Sequence, residues 1–139
     1  MTGQNFLLIF YSNFLYDGSV VEKTDVTETF GNIIRQARKE KAYSQRSLAA
    51  ILKLDFTYLS KLENDRADYP PKEDVIRSLA RNLDLDEEQL ICLAGRIPQK
   101  YEEVLKQHSQ SMSVLLRRLR ENPEFAQKVF QAASEEEST

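Results

Sequence analysis

Residues 44–64, SQRSLAAILKLDFTYLSKLEN, decide the fold. Leu48, Ala49, Ile51 and Leu52 recur at helical spacing behind Ser44, and Tyr58, Leu59 and Leu62 do so behind Asp55. The pattern predicts two short helices, each opened by a side-chain cap. Only Lys53 and Leu54 lie between them, so the connection is a tight turn. Helices of about two turns are marginal alone in water, so both must lean on neighbouring segments.

Those neighbours are legible on either side. Phe30, Ile33, Ile34 and Ala37 mark the inner face of a first helix ending near Lys41, with Arg35, Arg38 and Lys39 at polar positions. The second helix runs from Gln45 to about Leu52, and the third from Phe56 to about Asn64. Residues 65–71, DRADYPP, break the pattern, because Pro71 disfavours helix at Pro70 and neither proline donates a backbone hydrogen bond. Val75, Ile76, Leu79, Ala80 and Leu83 define a fourth helix. DEEQLICLA, residues 86–94, defines a fifth, with acids in its first turn and Gly95 placed to end it. The expected fold is all-α, a compact five-helix domain over residues 28–96.

A helical extension follows over residues 97–134, ahead of a frayed polar tail at 135–139. Pro98 opens a helix with Tyr101, Val104 and Leu105, and Ser109 or Ser111 caps one with Met112, Leu115, Leu116 and Leu119. Asn122-Pro123 starts a last helix that buries Phe125, Ala126, Val129 and Phe130. The connections after Gly95 read as hinges. Three amphipathic helices exceed what a five-helix core needs, so they either pack back on it or pair with a second copy of the chain.

Residues 1–27 carry the apolar run FLLIFYSNFLY at 6–16. It is shorter than the ~20 residues that span a bilayer and lacks the basic residues that precede a secretory apolar segment. A membrane anchor is not expected. A short strand at a dimer interface, a loosely attached arm, and a translated leader ahead of a start near Val26 all fit the run.

The net charge of −3 is unevenly distributed. Glu28 to Arg66 holds eight Lys/Arg against five Asp/Glu, whereas residues 1–27 hold one against three and 67–139 ten against fourteen. Positive charge therefore gathers around the two-helix unit. Local sign governs attraction of a polyanion, because salt screens charges beyond roughly 10 Å.

The register of Gln45, Leu48, Ala49, Leu59, Ser60, Glu63 and Asn64 resembles the helix-turn-helix of lambda-repressor-like, or Xre, regulators, over roughly Phe30 to Ala94. The resemblance implies that Gln45 binds a phosphate and buttresses the third helix, which enters the major groove of double-stranded DNA. It places Phe56, Thr57 and Lys61 toward base edges, and Tyr58 and Ser60 near phosphates or the groove wall. For Tyr58, burial against the loop is the plainer alternative. Thr57 can donate, accept or touch a thymine methyl, Lys61 suits guanine O6 and N7, and Phe56 offers apolar contact only. With no bidentate Arg or Gln, specificity leans partly on DNA shape and phosphate register. Ser44, Arg46, Asn64 and Arg66 are phosphate candidates. Arg38 and Glu63 match positions that in some family members form a partly buried ion pair, which also steers the Arg toward phosphate.

Glycine is usual in the family where this chain has Ala42, Lys53 and Asp65. A left-handed conformation costs a non-glycine residue on the order of 1 kcal/mol, so turns of different shape are expected there.

Catalysis and metal binding find little support. His108 has no second histidine or nucleophile arranged around it, and Cys92, between Ile91 and Leu93, reads as a small core residue. Asp84, Asp86, Glu87 and Glu88 lack calcium-loop spacing and read as a helix start. LLRRLR at 115–120 reads as a leucine stripe with a charged outer face, and one cysteine fits a reducing cytoplasm. The expectation is a cytoplasmic, homodimeric DNA-binding repressor without metal or cofactor. The alternative is an antitoxin-type module that masks a protein partner with its C-terminal helices and autoregulates through the same motif.

Overall fold

The computed structural model describes residues 28–137, whose regular structure is all helical, without strands. The expectations for residues 1–27 lie outside the described residues. Five helices build the first unit: α1 (Phe30–Glu40), α2 (Gln45–Leu52), α3 (Phe56–Glu63), α4 (Glu73–Leu83) and α5 (Glu87–Leu93). A 3-10 turn, Gln99–Tyr101, leads into α6 (Glu102–Gln107), α7 (Ser109–Glu121) and α8 (Pro123–Glu137). α8 thus runs on into the tail expected to be frayed.

Local chemistry sets most of the helix starts. Thr29 Oγ1 accepts from Asn32 N at 3.1 Å, Ser44 Oγ from Ser47 N at 3.0 Å, and Asp86 Oδ1 from Gln89 N at 2.9 Å. Asp55 Oδ1 accepts from both Thr57 N at 2.8 Å and Tyr58 N at 3.2 Å. Each bond satisfies a donor that the first turn of a helix leaves open, a gain of ~1 kcal/mol. Asn122 caps α8 as expected, accepting from Phe125 N at 3.0 Å. α7 is different: its cap position is His108, with no side-chain hydrogen bond, so neither Ser109 nor Ser111 serves.

The core is continuous across the five helices. Ile34 and Ala37 of α1, Leu48 and Ala49 of α2, Leu59 and Leu62 of α3, Ile76, Leu79 and Ala80 of α4, and Leu90 and Ile91 of α5 are all buried. Ile51 departs from the expected inner face, at 46% exposed. α2 buries one narrow stripe, Leu48 and Ala49 with Leu52 half-buried, and Ile51 points off it beside exposed Ser47 and Ala50. Cys92 is exposed too, since Leu90 and Ile91 already turn the inner face of α5 to the core. Partial desolvation, then the carboxylates of Glu88 and Asp86, push its thiol above the usual range.

The turns keep the shape that glycine would allow. Ala42, Lys53 and Asp65 have φ of 59°, 56° and 54°, and Asp84, after α4, has 56°. The expectation of differently shaped turns is therefore wrong. Backbone bonds hold the geometry: Tyr43 N reaches Arg38 O at 3.1 Å, Leu54 N reaches Ala49 O at 2.9 Å, and Arg66 N reaches Lys61 O at 2.9 Å. These bonds close helix ends that would otherwise leave carbonyls open, and they offset the left-handed strain of roughly 1 kcal/mol at each position.

The connection from the first unit to α6 is a strap, where a hinge was expected. Arg96 Nε donates to Pro71 O at 2.6 Å and its Nη2 to Pro70 O at 3.0 Å, Pro98 is buried, and Gln99 N donates to Glu73 Oε2 at 2.9 Å. Tyr101 Oη donates to Glu88 Oε2 at 2.7 Å, and Lys100 pairs with the same carboxylate. Beyond the strap the packing thins. No described side chain of α6, α7 or α8 is buried, and Phe130, expected inside, is 40% exposed.

Candidate nucleic-acid interface

α3 has two clean faces. Leu59, Leu62 and Glu63 are buried and Tyr58 is half-buried against the core, whereas Phe56, Thr57, Lys61 and Asn64 are exposed and Ser60 is half-exposed. At 100° per residue the exposed set spans under half the circumference. The residues expected at base edges thus share one outward face, whereas Tyr58 packs inward.

The outward face starts with an aromatic under a cation. The Arg46 guanidinium lies 5.2 Å from the centre of the Phe56 ring, which draws the exposed first residue of α3 toward α2. Gln45 is half-buried at the first position of α2, next to Ser44. The Ser44 hydroxyl is committed locally, accepting from Ser47 N and donating to Ser47 Oγ at 3.0 Å.

The cations divide into inner and outer sets. Arg38 is turned inward: its Nε lies 2.9 Å from Glu63 Oε2, its Nη2 lies 2.9 Å from Glu63 Oε1, and its Nη1 donates to Tyr43 O at 2.8 Å. Glu63 is 1% exposed, so the pair is structural, and all three Arg38 nitrogens have partners within the fold. Arg35 Nη2 donates to Glu63 O at 2.7 Å and to Asn64 Oδ1 at 2.8 Å, and Lys41 pairs with Asp84. Asn64 also donates through Nδ2 to Ser60 O at 2.7 Å, so both ends of its amide are engaged. Lys39, Arg46, Lys53, Lys61 and Arg66 remain, all exposed and without an ion pair among the described residues. Four of them, Arg46, Lys53, Lys61 and Arg66, lie on or flank α2 and α3 and make this surface favourable to a polyanion.

Three residues that matter here carry no local signal. Gly31 is buried in α1, and a Cβ placed on it would lie 2.6 Å from Glu63 O. Asp65 Oδ1 accepts from Gly31 N at 2.9 Å and its Oδ2 from Thr29 Oγ1 at 2.6 Å. Arg35 completes the set. A glycine in the first turn of a helix is the one clue in the sequence, since glycine is costly there unless close approach requires it.

Residues 31–96 match a family model described as a helix-turn-helix domain. Among solved structures, the master regulator for biofilm formation SinR, in complex with DNA, is 30% identical over 45% of this chain and 98% of its own, with a TM-score of 0.41. A hypothetical transcription factor, NHTF from Neisseria, is 28% identical over 55% of this chain and 79% of its own, with a TM-score of 0.40. A SinR protein/SinI protein complex matches at 22% identity over 80% of this chain and 100% of its own, with a TM-score of 0.44. No protein of curated function matches. The family match covers the capped pair α2 and α3 together with the helices that support it, and it identifies residues 31–96 as a helix-turn-helix domain.

Proposed function

We propose that the protein is a sequence-specific DNA-binding transcriptional regulator that reads the major groove with the outward face of α3. The observation that carries this is the pairing of that face, Phe56, Thr57, Ser60 and Lys61, with the exposed cations Arg46, Lys53, Lys61 and Arg66 on α2, α3 and their flanking turns, none of them in an ion pair among the described residues. Thr57 and Lys61 contact base edges, Phe56 meets a thymine methyl, and Arg46, Arg66 and Gln45 hold phosphates. Ser44 and Asn64 serve through their positions at helix ends, because their side chains already have protein partners. Binding is as a homodimer with repressor action, and two α3 helices address half-sites about one helical turn apart.

Selection of bound DNA from a random pool tests this. Recovery of a two-fold symmetric site with half-sites about 10 base pairs apart supports the reading, and recovery of no enriched sequence overturns it.

A second role is favoured by a different surface. Val104, Val114, Leu116 and Phe130 of α6–α8 are 38–52% exposed, more apolar surface than these short helices cover among themselves. Pairing with a second copy covers it in the regulator reading, and a heterologous protein does so in an antitoxin-type module. Sedimentation of the pure chain discriminates: a dimer supports the first, and a monomer that pairs only with a co-expressed partner supports the second.

A further inference from the structure

We propose that Asp65 is a positioning residue for DNA reading: its carboxylate ties the C-terminal end of α3 to the first turn of α1 and so sets the angle at which the outward face of α3 meets a groove. The inference rests on the DNA-binding reading above and adds to it a residue that itself faces no base. Asp65 follows the α3 C-cap, Asn64, at φ 54°, where a glycine would be free of strain. Retaining a side chain there brings two bonds that glycine cannot make, the carboxylate accepting from Gly31 N at 2.9 Å and from Thr29 Oγ1 at 2.6 Å. Gly31 N is one of the donors that the start of α1 leaves open, and a carboxylate suits the positive end of that helix.

The contact is close and two-directional. A Cβ on Gly31 would sit 2.6 Å from Glu63 O and 2.8 Å from Asp65 Cγ, so α1 meets the end of α3 backbone to backbone. From the next turn of α1, Arg35 reaches the opposite way, to Glu63 O at 2.7 Å and Asn64 Oδ1 at 2.8 Å. Lys61 lies in the last turn of α3, just ahead of the residues that make these bonds. A change in the angle of α3 at this end moves the Lys61 ammonium group, which projects from its last turn.

The test compares Asp65→Gly and Asp65→Asn in the full chain. Asn retains an acceptor for Gly31 N and an amide that Thr29 Oγ1 can accept from, whereas Gly relieves the backbone and removes both bonds. Affinity is measured on the selected DNA site with the active fraction titrated, and amide exchange is measured on the free protein. The expected result is that Asp65→Gly melts close to the parent, binds about tenfold more weakly and exchanges faster at Gly31, while Asp65→Asn binds within about threefold of the parent. A stable Asp65→Gly with parental affinity overturns the positioning role. Parental exchange at Gly31 in Asp65→Gly overturns the tie itself, and this arm reads out whether or not a DNA site is found. Failure of the parent to select any DNA instead counts against the DNA-binding reading, and the positioning role falls with it.

Discussion

The two halves of the molecule use the same kind of helix to different ends. All fourteen buried core hydrophobics among the described residues lie between Phe30 and Ile91, and α6–α8 contribute none. α1–α5 close a core around themselves and so present a rigid surface. α6–α8 leave their apolar stripes half-covered, with Phe125 lying under the Arg118 guanidinium at 3.9 Å and Leu116 52% exposed. A helix that is amphipathic without a buried face in its own chain is suited to meeting another surface. The strap from Arg96 to Tyr101 makes the difference useful, because it fixes where the open helices leave the closed domain.

The largest expected effect lies in the closed half. Glu63→Ala leaves the Arg38 guanidinium, 11% exposed, without its carboxylate partner and should cost about 3–5 kcal/mol in chemical denaturation. Replacing both residues by apolar ones of similar volume should cost far less, and equal losses in the single and double variants would show that the pair itself adds net stability. Gly31→Ala should come next, at about 1–3 kcal/mol, because backbone carbonyls of Leu62 and Glu63 stand where its Cβ must go. A neutral outcome there would mean that α1 and α3 are not held in such close approach.

Removing α6–α8 by ending the chain after Tyr101 keeps the strap and should lower stability by less than ~1 kcal/mol, since no described side chain beyond that point is buried. The same truncation should give a monomer in sedimentation. A truncated dimer would relocate the pairing to the first unit and break the contrast between the halves.

The smallest effect concerns acid. Bonds from Arg77 and from Gln99 N hold the Glu73 carboxyl below its ordinary value of 4.5, and Lys100 with Tyr101 does the same for Glu88. A depressed carboxylate contributes stability above the ordinary value and loses it as pH falls through the depressed one. As pH falls below 4.5, protection of Gln99 N against exchange, relative to its intrinsic rate at each pH, should therefore drop before that of the Leu79 and Ile91 amides, loosening the strap ahead of the core. Simultaneous loss of protection would mean that strap and core open together.

The first unit was largely legible in the sequence because its determinants are local. Ser44, Asp55 and Asp86 cap within three residues of themselves, and the apolar spacing of α1 and α4 tracks one face. The misreadings share one cause. Ile51 and Cys92 sit one helical step off a buried stripe whose width depends on what packs against it. The strap and the Asp65 bonds join residues 13 to 36 positions apart, which no periodicity reports. The left-handed turns at Ala42, Lys53 and Asp65 persisted without glycine because spacing and backbone bonds enforce them. On α3, Phe56, Thr57 and Lys61 lie on the exposed face and Arg38 makes its pair with Glu63, whereas Asn64, read as a phosphate candidate, has both ends of its amide engaged within the fold.

The account turns on whether the outward face of α3 carries the reading of DNA. The direct measurement is the affinity of Thr57→Ala and Lys61→Ala for the site selected by the parent, with melting temperature recorded beside it. Both side chains are exposed, so stability should stay within about 0.5 kcal/mol of the parent. Each substitution should weaken binding by about 1–3 kcal/mol and relax preference at its own base pair. Parental affinity and parental sequence preference in both variants would contradict the account.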